Sequence, residues 1–292
     1  MLKYQINKLK SYFYTALPIK DEAGLEKVYV VAGQGRSGTT WITEVLNKDN
    51  SFRYLFEPLN ERMIKGIPFT PRLYLRESDQ RTDLKDYLER VLNGDIRNRW
   101  IDQFNRNRRP QKRLVKFIRV SMILQWMLKQ FPTLKVVYIV RNPYQVALSR
   151  VTKGWPPNLD LLTSQPELVE DYLKPHLSLI ESASSPFEKH FISWAVESLV
   201  VQESLASQSV HLVFYEDLKA DPVNGFKAIF DFYGLEFSED DLEEVLNRPS
   251  KMTSKKAGEL KAKTSWQDSL SDQELKFAER VFEQFGLEDR WK

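Results

Sequence analysis

Within eight residues, Gly33-Gln34-Gly35-Arg36-Ser37-Gly38-Thr39-Thr40, the chain gathers three glycines, one arginine and three hydroxyl side chains. Glycines at 33, 35 and 38 let the backbone turn tightly and aim several N–H groups at one anion, and Ser37, Thr39 and Thr40 add donors. The apolar run at 28–32 suits a strand buried on both faces, and 39–46 has the pattern of a following helix, whose N-terminus also favours an anion. The chemistry this predicts is phosphate binding. Gly33 and Gly38 fit the spacing of a nucleotide-triphosphate loop, but Thr39 stands where such a loop has its lysine, and the cation is Arg36 instead. An ATP or GTP hydrolase is therefore disfavoured, because the lysine that reaches the β and γ phosphates is missing.

Other reactive side chains follow apolar runs in the same way. Glu57 comes after Phe52-Arg53-Tyr54-Leu55-Phe56, read as a second strand that Glu57-Pro58 ends, and 113–120 reads as a third with 114–118 as its apolar core. Arg141 comes directly after KVVYIV at 135–140, a run of β-branched and aromatic residues with no polar alternation. Pro143 can open the next helix, which carries Ser149 about two turns along, so that Arg141 and Ser149 can grip one phosphate. Tyr215 ends a further strand at 211–214. Ligands of open parallel sheets lie beyond the carboxyl ends of the strands, where all these residues fall. Strands ending in ligand-type residues and alternating with helices predict an α/β fold: a doubly wound parallel sheet with a P-loop-like phosphate-binding loop and helices on both faces.

RSGTTW at 36–41 resembles the 5′-phosphosulfate loop of sulfotransferases that use 3′-phosphoadenosine 5′-phosphosulfate (PAPS). Arg141 followed eight residues later by Ser149 resembles the 3′-phosphate motif of the same family, and FYEDLKADP at 214–222 its strand-end motif, whose tyrosine lies near the adenine. YLFEPL at 54–59 is similar to the region of carbohydrate sulfotransferases that carries a glutamate base. Sulfotransferases of small phenols and steroids have a lysine, one residue, then a catalytic histidine, where this chain has Lys116, Phe117 and Ile118. The missing histidine favours Glu57. Thr253, Ser254 and Lys255 upstream of Trp266 resemble a basic segment that closes over the 3′-phosphate, although lysine lacks the two-pronged grip of arginine.

The resemblance implies PAPS as donor, 3′,5′-adenosine bisphosphate (PAP) as product, no metal, and an acceptor hydroxyl on a sugar or other alcohol. It makes Glu57 and Arg36 catalytic, and gives nucleotide binding to Arg36, Ser37, Gly38, Thr39, Thr40, Trp41, Arg141, Ser149, Tyr215 and Lys255. Trp41 is read either as an adenine-stacking or as a core residue, and Tyr215 either as an adenine neighbour or as a core aromatic at a strand terminus. Two other classes stay open on the residues themselves. A P-loop-type small-molecule kinase is disfavoured by the missing lysine. A non-catalytic anion or nucleic-acid-binding module would use the nine basic residues between 97 and 119, but few aromatics interleave them, so a solvated face is the preferred reading and no nucleic-acid partner is expected.

Length and composition fit this outline. A chain of 292 residues that is 42% apolar can bury one sizeable core, and a net charge of +3 from 43 basic and 40 acidic residues says little about partners. The absence of cysteine excludes disulfides and thiolate metal sites, and no apolar run approaches the ~18 residues of a membrane span. A cytoplasmic protein is expected, with residues 1–25 as an amphipathic helix and connector and 26–292 as a single domain. In the helix, Leu2, Ile6, Leu9, Phe13 and Leu17 form a stripe suited to packing on the domain, peripheral membrane contact being the other role open to it. The Gly- and Pro-bearing stretch within 59–111 is read as the acceptor-recognition insertion and 153–186 as a loop or lid with short helices; His176 is an alternative base, with an ordinary surface or core histidine as the preferred reading.

Overall fold

Among the residues described in the computed structural model, 19–246, 266–287 and 289–291, five strands form one parallel sheet in the order β2-β3-β1-β4-β5. They are β1 (Val28–Gly33), β2 (Phe52–Phe56), β3 (Lys112–Phe117), β4 (Lys135–Val140) and β5 (Val210–Phe214). All pairings are parallel, with Val30 of β1 opposite Val115 on one side and Val136 on the other. The chain leaves β1 toward one edge and crosses back over it between β3 and β4, so the reversal of winding falls at the centre of the sheet, where an open α/β fold has its crevice.

The continuous apolar runs exist because both faces are covered. Val30, Ala32, Val115 and Val136 pack with α2 (Thr82–Leu92) and α3 (Leu124–Gln130) on one side. Their neighbours Val31, Leu114 and Val137 pack on the other with Ile42 of α1 (Thr39–Leu46) and Phe226 of α7 (Pro222–Tyr233). Successive residues of a strand point to opposite faces, which is why helices must flank the sheet twice. A further cluster joins α4 (Pro143–Thr152), α5 (Pro186–Leu205), the helical turns within 160–182 and α9 (Asp272–Phe285). Two more helices, α6 (Tyr215–Ala220) and α8 (Glu239–Leu246), flank α7 in sequence.

The start of α5 is set by a reciprocal cap: the Glu188 amide donates to Ser185 Oγ at 3.1 Å and Glu188 Oε2 accepts from the Ser185 amide at 3.0 Å. Asp221 caps α7 through the Asn224 amide. Ser121 caps no helix. Its buried hydroxyl accepts from the Tyr138 hydroxyl at 2.8 Å, and a 3₁₀ turn over Ser121–Ile123 leads into α3.

The basic stretch divides. Arg97, Arg99, Arg106 and Arg109 are exposed, whereas Arg113 is buried with Arg53 against Asp21, and Arg53 also pairs with Asp102. This ion cluster lies at the strand ends opposite the phosphate loop and ties the connector to the sheet. No helix among the described residues is long and apolar enough to cross a membrane. The amphipathic stretch at 2–17 and the basic segment at 253–255 lie outside the described residues.

Candidate active site

The glycine-rich loop joins β1 to α1, and its conformation explains its composition. Gly38 sits at φ 107°, and a Cβ there would lie 2.6 Å from the Tyr215 ring. Gly35 needs no left-handed backbone. It is glycine because a Cβ would fall 2.7 Å from the Trp155 indole, which lies across the loop beside Ile118. The buried Ser37 hydroxyl donates to the Gln34 carbonyl, so it shapes the loop itself. Thr39 opens α1, whose first amides have no intrahelical acceptor and remain available to an anion.

Arg36, at φ 81°, donates from Nε to Ser149 Oγ at 2.9 Å, which brings the two phosphate motifs into contact. Arg141 donates to the Arg36 carbonyl at 3.3 Å and to Gln145 Oε1 at 2.6 Å, and its guanidinium lies 4.2 Å from the centre of the Tyr215 ring. Burial, and then the Arg141 charge, push the Arg36 guanidinium below its usual pKa. Neither Arg36 nor Arg141 is ion-paired with a carboxylate among the described residues. Two crowded cations without counter-ions form a site for an anion.

Trp41 meets Tyr215 and Phe226 edge to face, at 5.7 and 5.3 Å between centroids, so its ring is part of the packing between α1 and α7. Tyr215 carries Gly38 on one part of its ring and Arg141 on its face.

Glu57 follows β2 at φ 45° and is 9% exposed. Its Oε1 accepts from Lys116 Nζ at 3.0 Å, and Lys116 also donates to Thr40 Oγ1 at 3.0 Å. The carboxylate is therefore one side chain away from the phosphate loop. The register dictates this: Lys116 of β3 stands opposite Val31 of β1 and Phe56 of β2, between the loop and Glu57. Burial pulls the Lys116 ammonium below its usual pKa, against the opposing pull of Glu57. Arg119 lies 3.7 Å from Glu57 Oε2 and pairs with Glu61 at 3.3 Å. His176 instead stacks on Phe285 of α9 at 4.1 Å. Among the described residues no group of three or more His, Asp or Glu side chains converges to hold a metal.

Sequence reasoning missed the residues behind the loop. Trp155 is fixed through its backbone, its amide donating to the Arg150 carbonyl at 3.0 Å and its carbonyl 2.9 Å from His190 Nε2. Burial, with Arg150 nearby, lowers the pKa of His190 from 6.5 to about 4. The unfolded chain binds the extra proton between these values, so the stability His190 supplies is complete above pH 6.5 and lost as pH falls toward 4. His190→Gln should abolish that component. In urea unfolding, wild type should lose up to about 1.4 kcal/mol per pH unit more than the variant across this window.

A family model described as the sulfotransferase domain matches residues 26–285. A search of curated protein sequences returns no match. Among solved structures, a retinol dehydratase in complex with retinol and PAP is 18% identical at a TM-score of 0.47, with 97% of this chain and 86% of that chain covered. The sulfotransferase domain from the curacin biosynthetic pathway is 16% identical at 0.46, covering 93% and 99%. Mouse sulfotransferase SULT7A1 complexed with PAP is 17% identical at 0.43, covering 91% and 87%. The family match spans the loop, Glu57, Lys116, Arg141, Ser149 and Tyr215 alike, and the chain belongs to the sulfotransferase family.

Proposed function

We propose that the protein transfers a sulfuryl group from PAPS to an acceptor hydroxyl, with Glu57 as general base. The observation that carries this reading is the pair of guanidiniums, Arg36 and Arg141, at the carboxyl end of the sheet without carboxylate partners among the described residues, in a loop whose Thr40 is one Lys116 side chain away from a buried carboxylate. PAPS supplies the sulfuryl group already activated on its 5′-phosphate. Glu57 takes the proton from the acceptor hydroxyl as that oxygen becomes nucleophilic. Lys116 orients the carboxylate and keeps it beside the loop. Arg36, the loop amides, Thr39 and Thr40 hold the 5′-phosphate and neutralise charge that builds on the departing oxygen. Arg141 and Ser149 hold the 3′-phosphate, and Tyr215 and Trp41 form the wall toward the base. As in phosphoryl transfer, the protein's contribution is charge placement rather than covalent chemistry.

The similarity at 54–59 favours a sugar hydroxyl as acceptor, and the irregular segment between Glu57 and α2 is the region that would receive it. The cysteine-free sequence favours the cytoplasm. Residues 26–292 are read as one catalytic domain and 1–25 as its amphipathic extension, with peripheral membrane contact as a role for that extension.

Thermal unfolding with PAP, 5′-AMP and magnesium-ATP tests the donor class. A ligand that binds only the folded protein stabilises it by about 2.7 kcal/mol at a hundred times its dissociation constant. PAP should raise the midpoint most, and a shift with magnesium-ATP alone would overturn the reading in favour of a kinase. Arg141→Ala should weaken PAP roughly tenfold or more, the worth of a charge-assisted phosphate contact, and leave 5′-AMP within about twofold.

A further inference from the structure

The donor loop is held from behind by charged side chains with no place in the chemistry above. Arg150 follows Ser149 on α4, and its side chain is 3% exposed. Its Nε donates to the Gly35 carbonyl at 3.3 Å and its Nη2 to Gln34 Oε1 at 3.1 Å. The buried Nη1 has no hydrogen-bond partner among the described residues and lies 3.8 Å from Glu197 Oε1 on α5. That same oxygen accepts from Arg72 Nη1 at 2.6 Å. One carboxylate oxygen thus serves two guanidiniums, one closely and one loosely. Burial draws the Arg150 pKa down to about 10, so the group is still charged at neutral pH.

Arg72 belongs to the irregular segment between β2 and α2, and it is held at φ 60°, a conformation that a non-glycine residue keeps only when its surroundings impose it. Its carbonyl accepts from Gln165 Nε2 at 2.8 Å, and the Tyr74 amide donates to Gln165 Oε1 at 2.8 Å. The Tyr74 hydroxyl donates to Asp171, which with Glu170 also pairs with Arg76. Residues 72–76 and 165–171 are therefore laced into one unit, and the path from that unit to the donor loop runs through Glu197. Buried ion pairs are weak devices for stability, since apolar residues of the same volume commonly serve as well; their best-attested use is to fix one arrangement.

We infer that Arg72, Glu197 and Arg150 form a positioning relay, through which occupancy of the donor loop and the placement of the 72–76/165–171 unit are coupled. Among the described residues no hydrogen bond joins the Arg72 or Glu197 side chain to the loop, so each is linked to it through Arg150, while Gln34 also donates to the Trp194 carbonyl and to Ser198 Oγ of α5. The coupling is reciprocal: nucleotide binding restrains the unit, and loosening the unit weakens the nucleotide. The inference rests on the sulfotransferase reading, because it takes PAP as the ligand of the loop.

Calorimetric titration with PAP of the wild type, Arg72→Met, Glu197→Gln and the double variant tests it, all three keeping side-chain bulk. Wild type is titrated first, and no binding there would overturn the donor assignment and the relay together. Given binding, Arg72→Met should weaken PAP about fivefold or more, the lower end of typical coupling between sites, and by less than about twofold in the Glu197→Gln background. A purely structural role would lower the unfolding temperature of both variants while leaving PAP affinity unchanged. Affinity within twofold of wild type for Arg72→Met, or an equal penalty in both backgrounds, overturns the relay. Should the position-197 variants fail to fold, hydrogen exchange decides: PAP should protect 72–76 and 165–171 in wild type but not in Arg72→Met, and equal protection in both overturns it.

Discussion

Glu57→Gln should lower turnover by roughly a hundredfold to ten-thousandfold, the usual contribution of a positioned base, while PAP affinity stays within about threefold. Glutamine has the shape of glutamate and can still accept the Lys116 hydrogen bond at Oε1, so the path from Thr40 through Lys116 to position 57 survives. What disappears is the capacity to take a proton from the acceptor. The measurement is PAP release from PAPS with the hydroxyl acceptor that wild type turns over fastest in a screen of sugars and alcohols, alongside PAP titration. A structural role predicts a different pattern, because Glu57 is also the counter-ion of a buried lysine and approaches Arg119. Removing only that ion pair would lower the unfolding temperature and leave turnover per folded molecule near wild type. Turnover within about threefold of wild type in folded Glu57→Gln would remove the base assignment.

Much of this site was legible because its residues sit at strand ends, and strand ends are marked by apolar runs that stop. Arg36, Glu57, Arg141 and Tyr215 each follow such a run, and the sheet gathers them at its carboxyl edge. The strand order was not legible, since nothing local in β2 or β4 states which neighbour it pairs with. Lys116 shows the consequence. In sequence it is one of nine cations in a basic stretch, with a resemblance to a family lysine. Only the register of β3 with β1 and β2 sets it between Thr40 and Glu57. Arg113, three residues earlier, is turned the opposite way functionally, buried against Asp21 at the far end of the strands. Gly35 carries a similar lesson: its sequence context suggests a turn, while its reason is the Trp155 ring, brought in by α4 and held by α5. Arg150 and Glu197 gave no sequence signal, because a buried charge on a helix looks like an exposed one until its partners are known: for Arg150 the loop residues 115 and 116 positions away, for Glu197 Arg72, 125 positions away.

Arg36→Met should reduce turnover about a hundredfold to a thousandfold, the cost of losing one group that stabilises charge in the transition state. The backbone contact from Arg141 to the residue-36 carbonyl does not depend on this side chain, so the loop retains one of its two links to the second phosphate motif. The link through Ser149 is lost, and with it a guanidinium that uses one of its five donors on that serine and keeps four. Arg36→Lys separates charge from geometry. A lysine restores the cation but offers a point charge that cannot grip serine and phosphate as a planar fork does, so recovery should be partial, to within roughly tenfold of wild type. The same two variants should lose less equilibrium affinity for PAPS, titrated without acceptor, than they lose in turnover, because the bridging oxygen of PAPS lacks the charge that develops as the sulfuryl group departs and that PAP carries in full. Equal losses in PAPS affinity and kcat/KM would make Arg36 a binding residue only. Charge neutralisation would then fall to Lys116, the cation already in contact with Thr40, and Lys116→Met would have to show the larger effect on turnover.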